Sequence, residues 1–185
     1  MMEIRLHGRG GQGIVTASEL MALSAHIEGY EAQAFPAFGV ERSGAPIQAF
    51  VRISRQPIVL REQVYEPDFL IIADSTLLGD EAIVSGIKKN TKIIVNSSAP
   101  KEEILRILPG VAAKNISVIP ATDIARRYLN KPFANTALTG AFAFSSRLIS
   151  LPSLLKAIEE NFAGRNDKLI KDNKQAAIAA YEYES

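Results

Sequence analysis

The stretch that decides the fold of this chain is His7-Gly8-Arg9-Gly10-Gly11-Gln12-Gly13, near its beginning. The run Ile4 to His7 predicts a short strand, and the run Ile14 to Ile27 carries apolar residues at helical spacing. Glycine tolerates the backbone angles of a sharp turn and lets a ligand approach the main chain closely. The stretch therefore predicts the turn that joins the first strand to the first helix of an α/β domain.

Strand and helix patterns alternate along the rest of the chain. The continuous apolar run Phe69 to Ala73 is typical of a parallel strand buried on both faces of a sheet. Ile47 to Ser54 predicts a strand with one polar face, and we expect Ile58 to Leu60 to pair back on it as a hairpin, which makes the sheet mixed. Further strands are predicted at 31–35, 92–95 and 116–119, and helices at 79–88, after Ser98, and at 122–129, 135–148 and 169–181.

These elements predict one α/β domain over residues 1–185, with three α/β/α layers around a Rossmann-like, mostly parallel mixed sheet. Helix ends have their own signals. Gly29 is expected to end the first helix. Asp74 or Ser75 is expected to cap the helix at 79–88, and Ser98 is expected to cap the next one.

Composition excludes several classes of function. The formal net charge is +1, so no overall field attracts nucleic acid or an anionic membrane. The chain has no cysteine, which excludes disulfides, thiolate chemistry and iron–sulfur clusters held by its own thiolates. Two histidines are too few for a histidine-rich metal site, and no serine has the acid–base neighbours of a nucleophile. Because neither a bilayer-spanning run nor a signal peptide is recognisable, we expect a cytoplasmic chain. We also expect no catalytic and no metal-binding residue on this chain.

The glycine turn has the features of an anion-binding site. Gly8, Gly10 and Gly13 have the G-x-G-x-x-G spacing of dinucleotide-binding turns. The helix that follows presents free N–H groups and a partial positive charge, worth about 0.3–1 kcal/mol to a bound anion. Arg9 and Gln12 project beside those donors, and a charge-assisted contact from Arg9 adds about 1.5–3 kcal/mol where water is excluded. These two side chains are the leading candidates to face a ligand, and hydrogen bonding to a partner subunit explains them equally well.

A dinucleotide-binding fold requires a second mark, which this chain lacks. An acidic residue should end the second strand, about 20 residues beyond the glycines, to bind a ribose. Here Glu31 stands at the start of the predicted second strand, and no acid stands at its end. The pattern argues against ordinary NAD binding. A free-standing nucleotide-binding domain and a turn without any ligand both stay open.

A second loop makes the turn far more specific. The glycine turn and the loop Ala34-Phe35-Pro36-Ala37-Phe38-Gly39-Val40-Glu41-Arg42-Ser43-Gly44-Ala45-Pro46 together resemble the gamma subunit of the 2-oxoacid:ferredoxin oxidoreductases, most closely the pyruvate type. The similarity covers nearly the whole chain. It continues through Pro67-Asp68, Asn96, Ala121-Thr122-Asp123, Asn135-Thr136-Ala137-Leu138-Thr139-Gly140-Ala141 and Asn173.

The resemblance implies a reaction and a set of partners. Such enzymes oxidise a 2-oxoacid with coenzyme A to an acyl-CoA and carbon dioxide, and they pass two electrons to ferredoxin. It implies alpha and beta subunits that hold thiamine diphosphate and Mg2+, and beta and delta subunits that hold [4Fe-4S] clusters. It implies that this chain binds no cofactor alone, is inactive alone, and lines or supports the shared active site, with coenzyme A as its candidate ligand. Pyruvate is the implied oxoacid, while 2-oxoglutarate, branched oxoacids and indolepyruvate stay open.

The candidate cofactor-binding residues come from the glycine turn, the second loop and the start of the helix at 135. Arg42 is a candidate to bind a phosphate or carboxylate of a ligand, or a carboxylate of a partner subunit. Asn135 is either a ligand contact or a helix cap. His7 adjoins the turn but has no assigned catalytic role, because thiamine chemistry largely supplies its own base. The full set is Gly8, Arg9, Gly10, Gly11, Gln12, Gly13, Glu41, Arg42, Ser43, Gly44, Asn135 and Thr136.

Overall fold

One mixed sheet organises the computed structural model, which describes residues 1–37 and 44–184, without the side chain of Glu184. Its strands are β1 (Met2–Arg9), β2 (Glu31–Pro36), β3 (Pro46–Ser54), β4 (Phe69–Ile72), β5 (Lys92–Asn96) and β6 (Ile116–Ile119). Their order across the sheet is β2-β3-β1-β4-β5-β6. The strands β1, β4, β5 and β6 are parallel, whereas β3 is antiparallel to both β1 and β2. The predicted mixed sheet is confirmed.

Helices connect and cover these strands. They are α1 (Ile14–Ile27), α2 (Glu81–Val84), α3 (Lys101–Ile107), α4 (Ala121–Leu129), α5 (Asn135–Ser146), α6 (Leu151–Asn161) and α7 (Asp167–Glu184), with 3-10 turns at Ser75–Gly79 and Ala113–Asn115. The bounds of α1 are those predicted, and Gly29 follows it with a φ of 86°, in the left-handed region that favours glycine. Within the described ranges, no helix combines the length and apolarity that crossing a bilayer requires.

The core lies on both faces of the sheet. Strand pleating sends Ile71 of β4 into one apolar cluster and its neighbours Leu70 and Ile72 into another. The first cluster packs against α1 and α4 to α7, and the second packs against α2, α3 and the 3-10 turn after β4. The predicted three-layer α/β/α architecture is therefore confirmed.

Helix α5 is the most deeply buried helix segment, because its residues from Asn135 to Ala143 are all buried. Gly140 lies where α7 crosses α5. A Cβ atom at that position would lie 2.3 Å from the carbonyl oxygen of Ala177, so no side chain fits between the two helices. The close crossing fixes the position of α5 against α7.

The predicted hairpin of Ile58 to Leu60 with the strand before it is wrong. Residues 57–60 form no strand, and β3 is paired along both of its edges, with β1 and with β2. A central strand has no free backbone groups left for a third partner. The antiparallel partner of β3 that makes the sheet mixed is thus β1 on one side and β2 on the other.

Two predicted helices also differ in the structure. In place of a helix at 79–88, the chain forms the 3-10 turn Ser75–Gly79 and the single turn α2, since Gly86 adopts a φ of 75° and passes close to the Tyr65 carbonyl. Ser98 does not cap α3. Its hydroxyl donates to Asp123, and Pro100 holds the N-cap position without a side-chain cap bond. Helix α5 ends at Ser146 rather than at residue 148, because Arg147 takes a left-handed φ of 54°.

Candidate functional site

The glycine turn lies where the chain leaves the sheet in two opposite directions. β1 and β4 are neighbouring parallel strands, so their carboxyl ends meet at one edge of the sheet. The segment after β1 enters α1 on one face, and the segment after β4 enters the 3-10 turn on the other face. Such a switch point opens a crevice between the two connections, and ligands of open α/β sheets bind in that crevice.

Backbone hydrogen bonds shape the glycine turn. The Gln12 amide donates to the Arg9 carbonyl at 3.0 Å, which closes the turn. Gly10 donates to the Ala45 carbonyl at 2.9 Å and accepts from the Gly44 amide at 3.2 Å, so the turn is tied to the residues that precede β3. Gly44 has a φ of 82°, and within the turn Gly11 and Gly13 have φ values of 92° and 77°, which a residue with a Cβ atom rarely adopts.

Asp74, which directly follows Ala73 at the end of β4, joins the two sides of the switch point. Its Oδ2 atom accepts from Arg9 Nε at 3.0 Å and from Gln12 Nε2 at 3.1 Å. Its Oδ1 atom accepts from the Thr76 amide at 3.0 Å and from the Thr76 hydroxyl at 2.6 Å. Burial acts to raise the pKa of Asp74, but the hydrogen bonds from Thr76, Gln12 and Arg9 outweigh it and hold the pKa below its usual value.

Arg9 is held by several groups and keeps donors to spare. Its Nη1 atom donates to the Gly44 carbonyl at 3.2 Å, and its Nη2 atom donates to the Thr76 hydroxyl at 2.9 Å. With the bond to Asp74, three of the five guanidinium N–H groups have partners among the described residues. The side chain is 36% exposed. The arrangement presents a fixed cation at the mouth of the crevice.

Gln12 is fixed at both ends of its amide. Its Oε1 atom accepts from the Arg9 backbone N–H at 2.7 Å, while its Nε2 atom donates to Asp74. The structure thus brings the predicted pair Arg9 and Gln12 together around a carboxylate. Whether either binds a ligand stays a proposal.

A polar cavity of about 270 Å³ extends from Gln12 and Asp74 along the carboxyl ends of β4 and β5 to α4. Its far wall includes Asn96, which is buried. The Asn96 amide donates to the Ala73 carbonyl at 2.8 Å and to the Thr122 hydroxyl at 2.7 Å, and its oxygen accepts from the Thr122 amide at 3.0 Å. Asn96 therefore ties the ends of β4 and β5 to the start of α4.

The first turns of α1 and α5 lie side by side at the glycine turn. Neither Gly13 nor Ala134, the residues that precede the two helices, makes a side-chain cap bond. A Cβ atom on Gly13 would lie 3.0 Å from Nδ2 of Asn135. Asn135 is 8% exposed, and its Oδ1 atom has no hydrogen-bond partner among residues 1–37 and 44–184. The prediction that Asn135 caps α5 is wrong, because it is the first residue of the helix and its amide lies against Gly13 instead.

Thr136 and His7 lie away from the crevice. Thr136 is fully buried, and its hydroxyl donates at 3.1 Å to Asn173, so it joins α5 to α7. His7 is 1% exposed, and burial, aided by the charge of Arg5, lowers its pKa to about 4. His7 is therefore neutral at pH 7, and its Nε2 atom has no hydrogen-bond partner in the described part of the chain.

Three candidates from the second loop, Glu41, Arg42 and Ser43, lie outside the described residues. Among the residues that are described, no three His, Asp or Glu side chains are grouped to hold a metal ion. Two site residues, Asp74 and Thr76, were not predicted as such. Asp74 was expected to cap a helix at 79–88, and it caps the 3-10 turn Ser75–Gly79 instead. The available signal was position, because an acid directly after a buried parallel strand lies at the ligand edge of the sheet.

Comparison with known proteins gives one consistent answer. Residues 3–183 match the family model described as pyruvate ferredoxin/flavodoxin oxidoreductase. The chain is 43% identical over 182 residues to the common gamma subunit of the pyruvate/ketoisovalerate oxidoreductases of Pyrococcus furiosus, covering 98% of this chain and 96% of that one. It is 44% identical over 181 residues to the pyruvate synthase subunit PorC of Methanocaldococcus jannaschii, with the same coverage. The crystal structure of the pyruvate oxidoreductase subunit PORC of Thermotoga maritima superposes with a TM-score of 0.84 at 36% identity, over 98% of this chain and 95% of that one.

Proposed function

The chain belongs to the pyruvate ferredoxin/flavodoxin oxidoreductase family, and from this membership we propose that it is the gamma subunit of a thiamine-diphosphate-dependent pyruvate:ferredoxin oxidoreductase. The observation that carries the proposal is the near full-length similarity to gamma and PorC subunits. The proposed enzyme decarboxylates the oxoacid, transfers the acyl group to coenzyme A, and delivers two electrons to ferredoxin. Alpha, beta and delta subunits are the proposed partners.

The proposed division of labour follows from what this chain contains. It has no cysteine, so it holds no cluster through thiolates. The thiamine diphosphate and its Mg2+ are assigned to the alpha and beta subunits, as the family resemblance implies. When bound there, thiamine diphosphate supplies the carbanion chemistry. This chain supplies polar groups that bind and orient a ligand.

The ligand proposed for this chain is coenzyme A, and the site is the glycine turn. Coenzyme A carries phosphate groups, and anions are stabilised by the free N–H groups at helix N-termini. Here two such termini adjoin without side-chain caps, those of α1 and α5. Arg9 adds a fixed cation with two N–H groups beyond those bound by described residues. Gln12 and Asn135 add amide groups beside these donors.

In this proposal, residues of the other subunits recognise the oxoacid. One relative is named as a gamma subunit common to pyruvate and ketoisovalerate oxidoreductases, so one gamma chain serves two oxoacids in that organism. A coenzyme A site can be shared in this way, because both reactions use the same acyl acceptor. A branched oxoacid such as ketoisovalerate is therefore the second candidate substrate for the complex that contains this chain.

The topology argues against the alternative of a free-standing dinucleotide-binding domain. In that fold the helix after the glycine turn leads to a parallel strand beside the first one, and that strand ends in the acid that binds ribose. Here α1 leads to β2, which is antiparallel to β3 and does not neighbour β1. The glycine spacing is therefore present without the unit that makes it a dinucleotide site.

Reconstitution tests the proposal. The purified chain should show no pyruvate-dependent reduction of ferredoxin or of a viologen dye, with or without coenzyme A. Reduction should appear when the chain is combined with alpha, beta and delta subunits, and should be lost when this chain alone is left out. Turnover by the isolated chain, or full activity of a complex that lacks it, would contradict the proposal. A panel of pyruvate, ketoisovalerate, 2-oxoglutarate and indolepyruvate then identifies the oxoacid.

A further inference from the structure

We infer that Asp74 is a positioning residue for the proposed coenzyme A site, and that it acts by holding Arg9 and Gln12 in place. The inference rests on the proposed function of the glycine turn. Arg9 and Asp74 are 65 residues apart in the sequence and meet only because β1 and β4 pair in parallel. A carboxylate beside a ligand-binding arginine would compete with an anionic ligand if it occupied all the donors. It does not, because it takes one N–H of Arg9 and one of Gln12.

The two oxygens of Asp74 have different partners. Oδ1 receives both hydrogen bonds of Thr76 and caps the 3-10 turn that follows β4. Oδ2 accepts hydrogen bonds from Arg9 Nε and from Gln12 Nε2. Capping and positioning are thus carried by separate atoms. A substitution that changes only Oδ2 separates the two roles.

Positioning matters because of the freedom that Arg9 would otherwise have. An arginine side chain that is not held in place loses rotamer entropy when it binds a ligand, and this loss weakens binding. Asp74 and Thr76 hold the Nε and Nη2 atoms, and Gly44 holds Nη1, so the guanidinium is oriented before the ligand arrives. Gln12 gains its orientation in the same way, because its Oε1 accepts from the Arg9 backbone while Asp74 holds its Nε2.

Asp74→Asn is the informative variant. The amide oxygen can keep both bonds from Thr76, and the amide nitrogen then faces Arg9 Nε and Gln12 Nε2, where three donors meet without an acceptor. We expect the reconstituted four-subunit complex to keep its kcat at saturating coenzyme A and to show a KM for coenzyme A raised about five-fold. The KM for pyruvate should stay unchanged, and the purified chain should unfold at a temperature close to that of the parent.

Asp80→Asn is the matched control. Asp80 also caps a helix, since its side chain accepts from the Ala82 amide at 2.9 Å at the start of α2, and no hydrogen bond joins it to the described residues of the glycine turn. It should leave both KM values unchanged. A rise in the KM for coenzyme A as large as that of Asp74→Asn would show that loss of a cap explains the effect, and would overturn the inference.

A double-variant cycle completes the test. In a complex that already carries Arg9→Ala, adding Asp74→Asn should change the KM for coenzyme A about two-fold or less, because its main partner is gone. Additive effects would overturn the inference, as would failure of Asp74→Asn to fold or assemble, since the capping atom would then carry the role of the residue. If Arg9→Ala raises the KM and Asp74→Asn does not, positioning fails while the proposed function stands. If neither raises it, the proposed coenzyme A site fails as well.

Discussion

Arg9 Nε lies 3.0 Å from Asp74 Oδ2, and this ion pair bridges the point where the connections after β1 and β4 leave opposite faces of the sheet. Neither charge is fully exposed, with 36% of the arginine and 17% of the aspartate side chain accessible. The pair lies next to two uncapped helix N-termini. The switch point therefore combines a fixed cation with two helix N-termini, which are groups that stabilise anions.

Gly13 combines a left-handed backbone with a close neighbouring side chain. Gly13→Ala places a Cβ atom 3.0 Å from the Asn135 amide on a backbone with a φ of 77°, so we expect a loss of about 2 kcal/mol in unfolding free energy. Gly29→Ala is the matched control, because its φ of 86° carries the same conformational strain with no atom within 4 Å. Urea unfolding of the two variants measures the difference. Equal losses would show that the contact between Gly13 and Asn135 contributes nothing.

The lowered pKa of His7 predicts that the free energy of unfolding depends on pH. Its pKa is lowered to about 4 in the folded chain and lies near 6.5 in the unfolded chain, so the unfolded state binds more protons between these values. Stability contributed by neutral His7 is therefore complete above pH 6.5 and is lost as the pH falls to 4. We expect the parent to lose about 2–4 kcal/mol more than His7→Gln over this range.

Urea unfolding at pH 7 and at pH 4.5 checks the prediction for His7. His26→Gln serves as the control, because His26 is exposed in the last turn of α1 and should leave the pH dependence of the parent intact. The same pH dependence in His7→Gln as in the parent would contradict the assignment.

A negative charge at position 135 should weaken the binding of coenzyme A. Asn135→Asp keeps the number of heavy atoms but adds a negative charge beside the first turns of α1 and α5, so it should repel a bound phosphate. We expect the KM for coenzyme A in the assembled complex to rise about ten-fold or more, with little change in the KM for pyruvate. Asn166→Asp adds the same charge at the start of α7, away from the glycine turn, and should change neither constant.

Local patterns predicted much of the fold, and pairing decided the rest. The helix Ile14–Ile27 was predicted with its observed bounds, because glycines bound it on both sides and its apolar spacing is regular. The continuous apolar run of β4 likewise indicated a buried parallel strand. The strand predicted at 58–60 was wrong because its apolar character is a local property. Both edges of β3, to which it would have had to pair, are occupied by β1 and β2.

The site was predicted in part for a similar reason. Arg9 and Gln12 were found because they stand within the glycine turn itself. The role of Asp74 depends on the register in which β1 and β4 pair, with His7 opposite Ile72, and that register is not visible in either segment alone. Asn135 was expected to cap α5, and instead lies against Gly13 because the N-termini of α1 and α5 are adjacent. The gamma-type resemblance supplied what spacing could not, and the family match confirms it.

We propose that the glycine turn of this chain binds coenzyme A within the assembled oxidoreductase. The most direct measurement is the KM for coenzyme A of the reconstituted complex that carries Arg9→Ala, beside Arg165→Ala as a control in the exposed connection between α6 and α7. Loss of a charge-assisted contact predicts a KM raised about ten-fold or more for Arg9→Ala, with unchanged KM for pyruvate, and parent values for Arg165→Ala. An unchanged KM for coenzyme A in a correctly assembled Arg9→Ala complex would contradict the claim.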